Sequence, residues 1–523
     1  MRLLEKNSKI KGKIFPVGCF LIAVYCVIRY ILFYSFAEMD SDTMDSLMWA
    51  WATYKSGGLL SPDFYYPCLL GAGGNIILLP FIALFGYSPI AYKSGIIFFF
   101  LLFISVLLFF LYAIDISFEK RFIFTAVICI FTLASSVLRT FMWTHILYYN
   151  LGILLFLLGF ACMCMYLKKN KKGWCIGFGI VLAVSAMNGF TEILLVALPL
   201  LSACVLIPFF DFNTPLFNKS NRKNYVIFLS GILSVILGKV IILVFYGNII
   251  SVGYDQHFAQ FSEIGTWAEH IQMLIPLWMD MFGVSNTNNL TFFSLEGIKN
   301  IFALVIGAAV AVLPLAYTLF YNKVSEIRKR LIWGHWIITG VILFGVICGQ
   351  LYSSNRRLVP CAFTSFIMTI LFLDEIVSKI RMKNLFYIIY TAFTVLVLIS
   401  MFGIHKNLDN INQQREIAKY LDKQDYEYGY APYFDANTIM LFSDKSRIIP
   451  ISEVESQWRI FEYNTFKSWK EQATSQGGNF VIIKQSEYDA LNDERRETLD
   501  MADQAVVLGN YYIFEYYNGL VLN

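Results

Sequence analysis

Charged residues are scarce in this chain. Only 15% of its 523 residues are charged, whereas a soluble domain of this size carries about a quarter. Hydrophobic residues make up 57% and aromatic residues 17%. The shortage of charge excludes an ordinary soluble protein and indicates a polytopic membrane protein. The net charge of +4 is small, and Lys and Arg lie in short clusters between apolar runs, which argues against nucleic-acid binding.

The chain also lacks the cysteine patterns of a disulfide framework or a structural metal site. Most of its ten cysteines lie inside apolar runs, and none follows residue 403. There is no CxxC motif and no Cys/His cluster. We interpret the cysteines as small core residues.

Long apolar runs, by contrast, are abundant. Runs of about 20 residues predict transmembrane helices, and eleven lie near residues 14–36, 89–114, 120–139, 147–167, 173–188, 191–210, 224–247, 298–321, 331–351, 358–373 and 384–403. The first run exceeds the about 7–15 apolar residues of a cleavable signal peptide, so we expect it to remain as a span. Residues 75–86 form a 12-residue run, which suits an interfacial or re-entrant helix.

Basic residues between the runs predict the orientation. With the N-terminus inside, five loops fall on the cytoplasmic side, and each is rich in Lys or Arg: DISFEKR, KKNKKG, NKSNRKN, NKVSEIRKR and DEIVSKIRMKN. This distribution follows the positive-inside rule, and a twelfth span at 75–86 would place all five of these loops outside. We therefore predict a multi-pass plasma-membrane protein with a cytoplasmic N-terminus and long outer loops at 37–88 and 248–297.

The last part of the chain, residues 404–523, differs in composition because it is polar, charged and free of long apolar runs. A helical pattern covers about 407–422, and strand-like runs follow in RIIPI, NFVIIK, QAVVLG and YYIFEYY. The predicted fold is an α-helical polytopic membrane domain over residues 1–403, followed by a small extracytoplasmic α/β domain.

Both outer loops carry an apolar stripe at helical spacing, which predicts interfacial helices. The stripe comprises Met44, Leu47, Met48, Trp51 and Tyr54 in the first loop and Trp267, Ile271, Leu274, Trp278 and Met281 in the second. Two such helices on one face predict a cavity open to lipid and to water. Asp40, Asp42 and Asp45 stand at its expected mouth, directly after the first span.

Arginines supply the opposite charge. Arg356 and Arg357 lie at the outer end of the tenth predicted span, where planar guanidinium groups can hold a lipid phosphate in bidentate fashion. Arg29 lies inside the first span and needs a partner or a route to the interface. Structural alternatives remain open, since Asp42 can cap the interfacial helix and the arginines can anchor a span among the headgroups.

This layout resembles the GT-C glycosyltransferases, a type that includes protein O-mannosyltransferases and aminoarabinose transferases. In these enzymes the first span leads into an outer loop with an acidic motif, a place taken here by Asp40-Ser41-Asp42. Many bacterial members have an Arg before a Pro-containing late span, matched here by Arg356, Arg357 and Pro360, and a soluble domain after the last span. The second Arg stands where bacterial members often have Tyr.

The resemblance implies that a sugar is transferred from a polyprenyl-phosphate donor in the bilayer to an acceptor hydroxyl on a glycan, lipid or protein. Asp42, with Asp40 as the second choice, would be the general base, and the arginines would stabilise the leaving phosphate. Further substrate-binding candidates on the same predicted face are Arg29, His145, Glu192, Glu269 and His270. No metal-ligand set can be assigned from the sequence, and a divalent cation is the one cofactor left open.

Two other classes remain as alternatives. An O-antigen ligase or polymerase also uses lipid-linked glycans, but such enzymes usually concentrate function in one large late loop and lack a folded C-terminal domain. A transporter or lipid-linked glycan flippase often shows internal repeats and charged or broken spans near the midplane. Here no repeat is evident, and the ionisable residues gather on the predicted outer face.

Overall fold

The protein is mostly helical, as the composition predicts. The computed structural model describes residues 2–210, 221–249, 258–284, 291–380, 408–454 and 457–522, with a few isolated residues between these segments. The helices before the C-terminal region are α1 (Arg2–Arg29), α2 (Asp45–Ser56), α3 (Gly74–Phe85), α4 (Pro89–Ala113), α5 (Phe118–Phe131), α6 (Ser136–Trp143), α7 (Leu151–Lys169), α8 (Lys172–Met187), α9 (Leu198–Phe210), α10 (Arg222–Tyr246), α11 (Trp267–Met281), α12 (Leu295–Leu319), α13 (Glu326–Ile347) and α14 (Val359–Ile380).

Within the described residues, eight helices are long and apolar enough to cross a membrane once short 3₁₀ and π turns at their ends are included. They are built on α1, α4, α7, α9, α10, α12, α13 and α14. This confirms a multi-pass membrane protein. Helix α8 has 16 residues, about 24 Å at 1.5 Å per residue, and packs lengthwise against α7 and α10. The eleventh predicted span, 384–403, lies outside the described segments.

The predicted straight span at 120–139 is broken. Helices α5 and α6 occupy this run, but their axes differ by 113° across a four-residue break. The reason is local: the Ser135 hydroxyl accepts a hydrogen bond from the Leu138 amide at 3.1 Å and so starts a new helix. The pair amounts to one bent span at most. The 12-residue helix α3 agrees with the prediction that 75–86 does not form a full span.

The loops predicted on each side of the membrane gather at the two ends of the bundle. Contacts at one end join the first outer loop, through Asp42, to the turn that carries Arg356. At the other end, three ion pairs join the predicted cytoplasmic loops to one another: Lys120–Asp374, Lys168–Asp115 and Arg328–Glu375. We call these the site end and the basic end. Which end faces the cell exterior stays a prediction.

The C-terminal region forms a six-stranded sheet with helices, as predicted. Its strands are β1 (Tyr428–Pro432), β2 (Arg447–Val454), β3 (Gln457–Ile460), β4 (Gly478–Lys484), β5 (Gln504–Leu508) and β6 (Tyr511–Leu520), in the order β3-β2-β1-β4-β6-β5. Strand β1 is parallel to β2 and β4, and the other pairs are antiparallel. The helices are α15 (Leu408–Gln424), α16 (Tyr433–Met440), α17 (Lys467–Gln476), α18 (Gln485–Asp489) and α19 (Asp493–Asp500).

The four predicted strands are β2, β4, β5 and β6, and the predicted helix is α15. Strands β1 and β3 were not predicted. The sequence of β1, YGYAP, contains Gly and Pro, which are depleted in strands. It is nevertheless central and buried, and Gly429 is required because a Cβ there would lie 2.3 Å from the Phe480 ring.

Helix α2 forms where predicted, but most of its apolar stripe is packed against protein. Residues 45–53 are all buried because α2 packs against α3 and because the C-terminal region covers Trp51. A short segment of that region, residues 463–469, hereafter the strap, pairs with the first loop. The Tyr65 amide donates to the Thr465 carbonyl at 2.9 Å, and the Lys467 amide donates to the Asp63 carbonyl at 3.0 Å. An apolar stripe cannot distinguish lipid from another protein surface.

Candidate functional site

A cavity of about 900 Å³ opens at the site end of the bundle. Its polar wall comes from the first loop, the start of the span Ile146–Lys169, and the 3₁₀ turn Asn355–Leu358. Its apolar wall comes from the span Gly189–Phe210 and from α13, and includes Leu194, Leu195, Leu198, Ile337, Val341 and Phe344. The cavity therefore joins a charged end to a hydrophobic channel between two helices.

Asp42 lies at the charged end, on a 3₁₀ turn that precedes α2. The Arg356 Nη1 donates to its Oδ2 at 3.0 Å, and the Tyr433 hydroxyl donates to its Oδ1 at 2.8 Å. The Asp42 and Arg356 side chains are 21% and 22% exposed, so this ion pair is open to the cavity. Tyr433 belongs to the first turn of α16, which means that the C-terminal region contributes directly to the site.

Asp40, not Asp42, takes the structural role of bracing the turn. Its Oδ1 accepts a hydrogen bond from the Thr43 amide at 3.0 Å, and Asp40 does not line the cavity. Burial, with the nearby Asp42 carboxylate, raises the pKa of Asp40 to about 6. The capping alternative considered for Asp42 thus describes Asp40 better.

Asp45 lines the cavity, but its side chain is almost fully buried. The Asn464 amide of the strap donates to its Oδ1, and the Tyr148 hydroxyl lies 3.5 Å from its Oδ2. Burial, reinforced by the charges of Asp42 and Asp40, raises the pKa of Asp45 well above its ordinary value. Asn464 is itself held by the Trp49 indole N–H, 2.7 Å from its Oδ1.

Arg357 lines the same cavity. Its Nη1 donates to the Tyr149 hydroxyl at 2.6 Å, and its guanidinium lies 4.2 Å from the centre of the Phe258 ring. A side chain held by two aromatic residues inside a cavity is not extended toward lipid headgroups, so the anchoring alternative does not describe it.

The remaining predicted site residues divide into two groups. His145 and Glu192 line the cavity. Arg29, Glu269 and His270 do not. Arg29 donates to the Tyr34 hydroxyl at 3.3 Å within its own span, Glu269 is exposed, and His270 stacks on Tyr352 at 3.9 Å between ring centres.

Several residues of the site end were not predicted. Tyr433 and Asn464 gave no sequence signal, because their roles depend on contacts with residues about 400 positions away. Arg139 did give a sequence signal, since a charged residue inside a predicted span needs a partner elsewhere in the protein. Its partner is Glu38, whose Oε2 accepts from the Arg139 Nε at 3.0 Å and from the Tyr30 hydroxyl at 2.7 Å.

The described part of the chain contains no group of three or more His, Cys, Asp or Glu residues that could hold a metal ion. The oxygens of Asp42 are engaged by Arg356 and Tyr433, and Asn464 engages one oxygen of Asp45. These acids do not present the converging oxygens that a divalent cation requires. A cation requirement stays a prediction.

Fold and site together define a multi-pass membrane protein with a carboxylate–arginine cavity at one end of its bundle. No protein-family model matches the chain, and no curated protein matches it. The architecture is similar to that of ArnT, an aminoarabinose transferase of the GT-C type, from Cupriavidus metallidurans. Two crystal structures match over 95% of this chain and 97% of that chain: ArnT bound to undecaprenyl phosphate (14% identity, TM-score 0.44) and apo ArnT (13% identity, TM-score 0.45). The likeness is one of overall architecture and is too distant to support an argument about activity.

Proposed function

We propose that this protein is a membrane glycosyltransferase that moves a sugar from a polyprenyl-phosphate-linked donor to an acceptor hydroxyl on a glycan, lipid or protein. Asp42 is the general base, and Arg356 and Arg357 bind the donor phosphate. The reaction takes place at the outer face of the plasma membrane, where the region from residue 404 onward forms an extracytoplasmic domain.

The observation that carries this proposal is the cavity's division into a charged end and an apolar channel. A polyprenyl-phosphate sugar has the same division, with a long hydrocarbon chain joined to an anionic phosphate. The channel between Gly189–Phe210 and α13 suits the chain, and two guanidinium groups at its end suit the phosphate. The outer-face orientation is supported by the basic loops at the opposite end of the bundle.

The Asp42–Arg356 ion pair implies an order for the steps of sugar transfer. The donor phosphate competes for Arg356, and when it binds, Asp42 Oδ2 is released to accept a hydrogen bond from the acceptor hydroxyl. As the hydroxyl oxygen forms its bond to the anomeric carbon, its proton passes to Asp42. The bond between the anomeric carbon and the phosphate oxygen breaks, and the electron pair leaves with polyprenyl phosphate. The arginines stabilise the charge that this phosphate gains.

A test compares the wild type with Asp42→Asn in one deletion strain, with envelope glycans and lipids analysed by mass spectrometry. The amide retains the shape of the side chain but cannot take the proton, so we expect transfer to fall by about 10²–10⁴-fold. The matched control is Glu416→Gln, which makes the same change at an exposed carboxylate of α15. Protein abundance and membrane insertion are measured in parallel.

Three outcomes are distinct. Loss of a sugar-sized mass in Asp42→Asn alone supports the transferase. Full activity in this variant removes Asp42 from catalysis. If the wild type changes no glycan and yet carries polyprenyl-phosphate lipid across a vesicle membrane, the protein is a flippase or transporter instead.

A further inference from the structure

Polar atoms with unmet hydrogen-bonding capacity gather around the cavity. Three of its lining side chains have buried atoms that find no hydrogen-bond partner in the part of the chain that the structure describes: Glu192 Oε2, His145 Nδ1 and Nε2, and Arg357 Nε. Such atoms are rare in folded proteins, and each is costly to stability. Their collection on the walls of one cavity indicates that a ligand completes their bonds.

Glu192 stands on the side of the cavity formed by the span Gly189–Phe210. Its side chain is 4% exposed, and it packs over Gly152 of α7, where a Cβ would lie 2.6 Å from Glu192 Oε2. The glycine therefore leaves the space that the carboxyl group occupies. A π-helical turn, Ile193–Ala197, follows directly, and such turns are frequent at functional sites.

His145 stands on the polar wall, between the rings of Phe141 and Tyr148. It is 3% exposed, and burial lowers its pKa to about 4, so the ring is neutral near pH 7. A neutral imidazole offers one donor and one acceptor. The nearest acid is Asp45, whose Oδ2 lies 3.8 Å from His145 Nε2, beyond hydrogen-bonding distance.

The chemistry of these groups selects the ligand. A phosphate offers acceptors and negative charge, which suit the guanidinium group of Arg357. A hydroxyl group is neutral, donates one hydrogen bond and accepts others, so it can bond to both Glu192 and His145. A ligand that satisfies all three side chains therefore carries hydroxyl groups beside an anion.

We infer that Glu192 and His145 form a subsite that hydrogen-bonds to the hydroxyl groups of the transferred sugar, while Arg357 and Arg356 bind the phosphate. This inference rests on the proposed function and adds the residues that give preference for one sugar over another. Both side chains are substrate-contacting residues and take no part in proton transfer to Asp42.

The test measures binding by full-length protein in lipid nanodiscs. The probes are a C55 polyprenyl phosphate and the same lipid phosphate carrying glucose, mannose, galactose, N-acetylglucosamine or arabinose. We expect the wild type to prefer one sugar-bearing lipid. Glu192→Leu and His145→Phe should each lower the affinity for that sugar-bearing lipid by at least tenfold. The affinity for the bare lipid phosphate should change by less than twofold. Glu263→Gln, at an exposed carboxylate outside the cavity, should change neither.

A second variant avoids removing the carboxyl group. Gly152→Ala places a methyl group 2.6 Å from Glu192 Oε2, which is too close, so it should displace the carboxyl group and again reduce sugar preference. Binding of the bare lipid phosphate is the check on folding. The subsite is overturned if the wild type prefers none of the sugars, or if each variant weakens both kinds of lipid equally. Because Asp42→Asn tests transfer separately, loss of the subsite inference leaves the proposed function standing, whereas failure to bind any of these lipids removes both.

Discussion

At the basic end of the bundle, the ion pairs range in exposure: Lys168 and Asp115 are 26% and 72% exposed, whereas Arg328 and Glu375 are 19% and 27% exposed, and the Glu375 carboxylate also accepts from the Tyr317 hydroxyl at 3.2 Å. At the site end, the Glu38–Arg139 pair is buried and the Asp42–Arg356 pair faces the cavity, and both share additional hydrogen bonds. Glu38 and Arg139 are 8% and 7% exposed, with Tyr30 as a third member. Asp42 likewise has two donors, one from a late span and one from the C-terminal region.

The difference separates two uses of charge in one membrane protein. Exposed pairs such as Lys168–Asp115 are worth little to stability. Buried pairs hold their partners in one geometry at a cost in desolvation. The site end accepts that cost, which suits a place where carboxylates and arginines must be positioned for chemistry.

The largest effect should come from Arg139→Met at the site end. It leaves the Glu38 carboxylate buried without its cation, so we expect the free energy of unfolding to fall by about 3–5 kcal/mol. Thermal unfolding in nanodiscs measures the change. A melting temperature equal to that of the wild type would contradict the importance of this buried pair.

Tyr433→Phe should have the second-largest effect. It removes a hydrogen bond to a charged acceptor, worth about 1.5–3 kcal/mol, and leaves the ring in place. We expect kcat to fall by about 10–100-fold with little change in KM for the donor, because Tyr433 positions Asp42 and does not contact the phosphate. Tyr428→Phe, whose hydroxyl bonds to Gln472 within the C-terminal region, is the control. Equal losses in the two variants would assign Tyr433 a purely structural role.

Titration of Asp40 should give a smaller effect. Its pKa is raised to about 6 from 3.8, so the folded state binds its proton more tightly, and stability falls as pH rises from about 4 to 6. We expect Asp40→Asn to gain on the order of 1–2 kcal/mol relative to the wild type across this window, after discounting for partial exposure. His145 acts in the opposite direction because its pKa is lowered. The measured quantity is therefore the difference in melting temperature between the wild type and Asp40→Asn at each pH. A difference that does not change with pH would contradict the raised pKa of Asp40.

Lys168→Met should have the smallest effect. Its partner Asp115 is largely exposed, so we expect a change of less than about 1 kcal/mol in stability and unchanged transferase activity. Measured beside Arg139→Met, it makes the same kind of substitution at the other end of the bundle. If both variants lose the same stability, the contrast between the two ends does not hold.

Sequence alone predicted the part of the site that lies next to span ends. Asp42 and Arg356 are 314 positions apart, and yet both follow from hydropathy and the basic loops, which place them on one face. The break between α5 and α6 could also be anticipated from the serines in the run, once helix caps are weighed against hydropathy.

The contribution of the C-terminal region could not be predicted in the same way. Tyr433 follows a strand that contains Gly and Pro, and Asn464 belongs to the irregular strap, so neither has a periodic pattern. The packing of α2 against protein was not predicted, for a related reason. Trp51 packs on Phe466 and Trp469 of the strap and α17, and an apolar face of this kind suits lipid equally well. Such choices are made by tertiary packing.

The pairing of the strap with residues 63–66 also governs when the site can exist during biosynthesis. A ribosome delivers Asp42 to the membrane hundreds of residues before it delivers Tyr433 and Asn464. Until the C-terminal region has emerged and folded, the acidic loop lacks two of its hydrogen-bond donors, and α2 lacks its cover. The nascent chain therefore inserts its first spans while the cavity is incomplete, and Tyr433 and Asn464, which are translated later, complete the site.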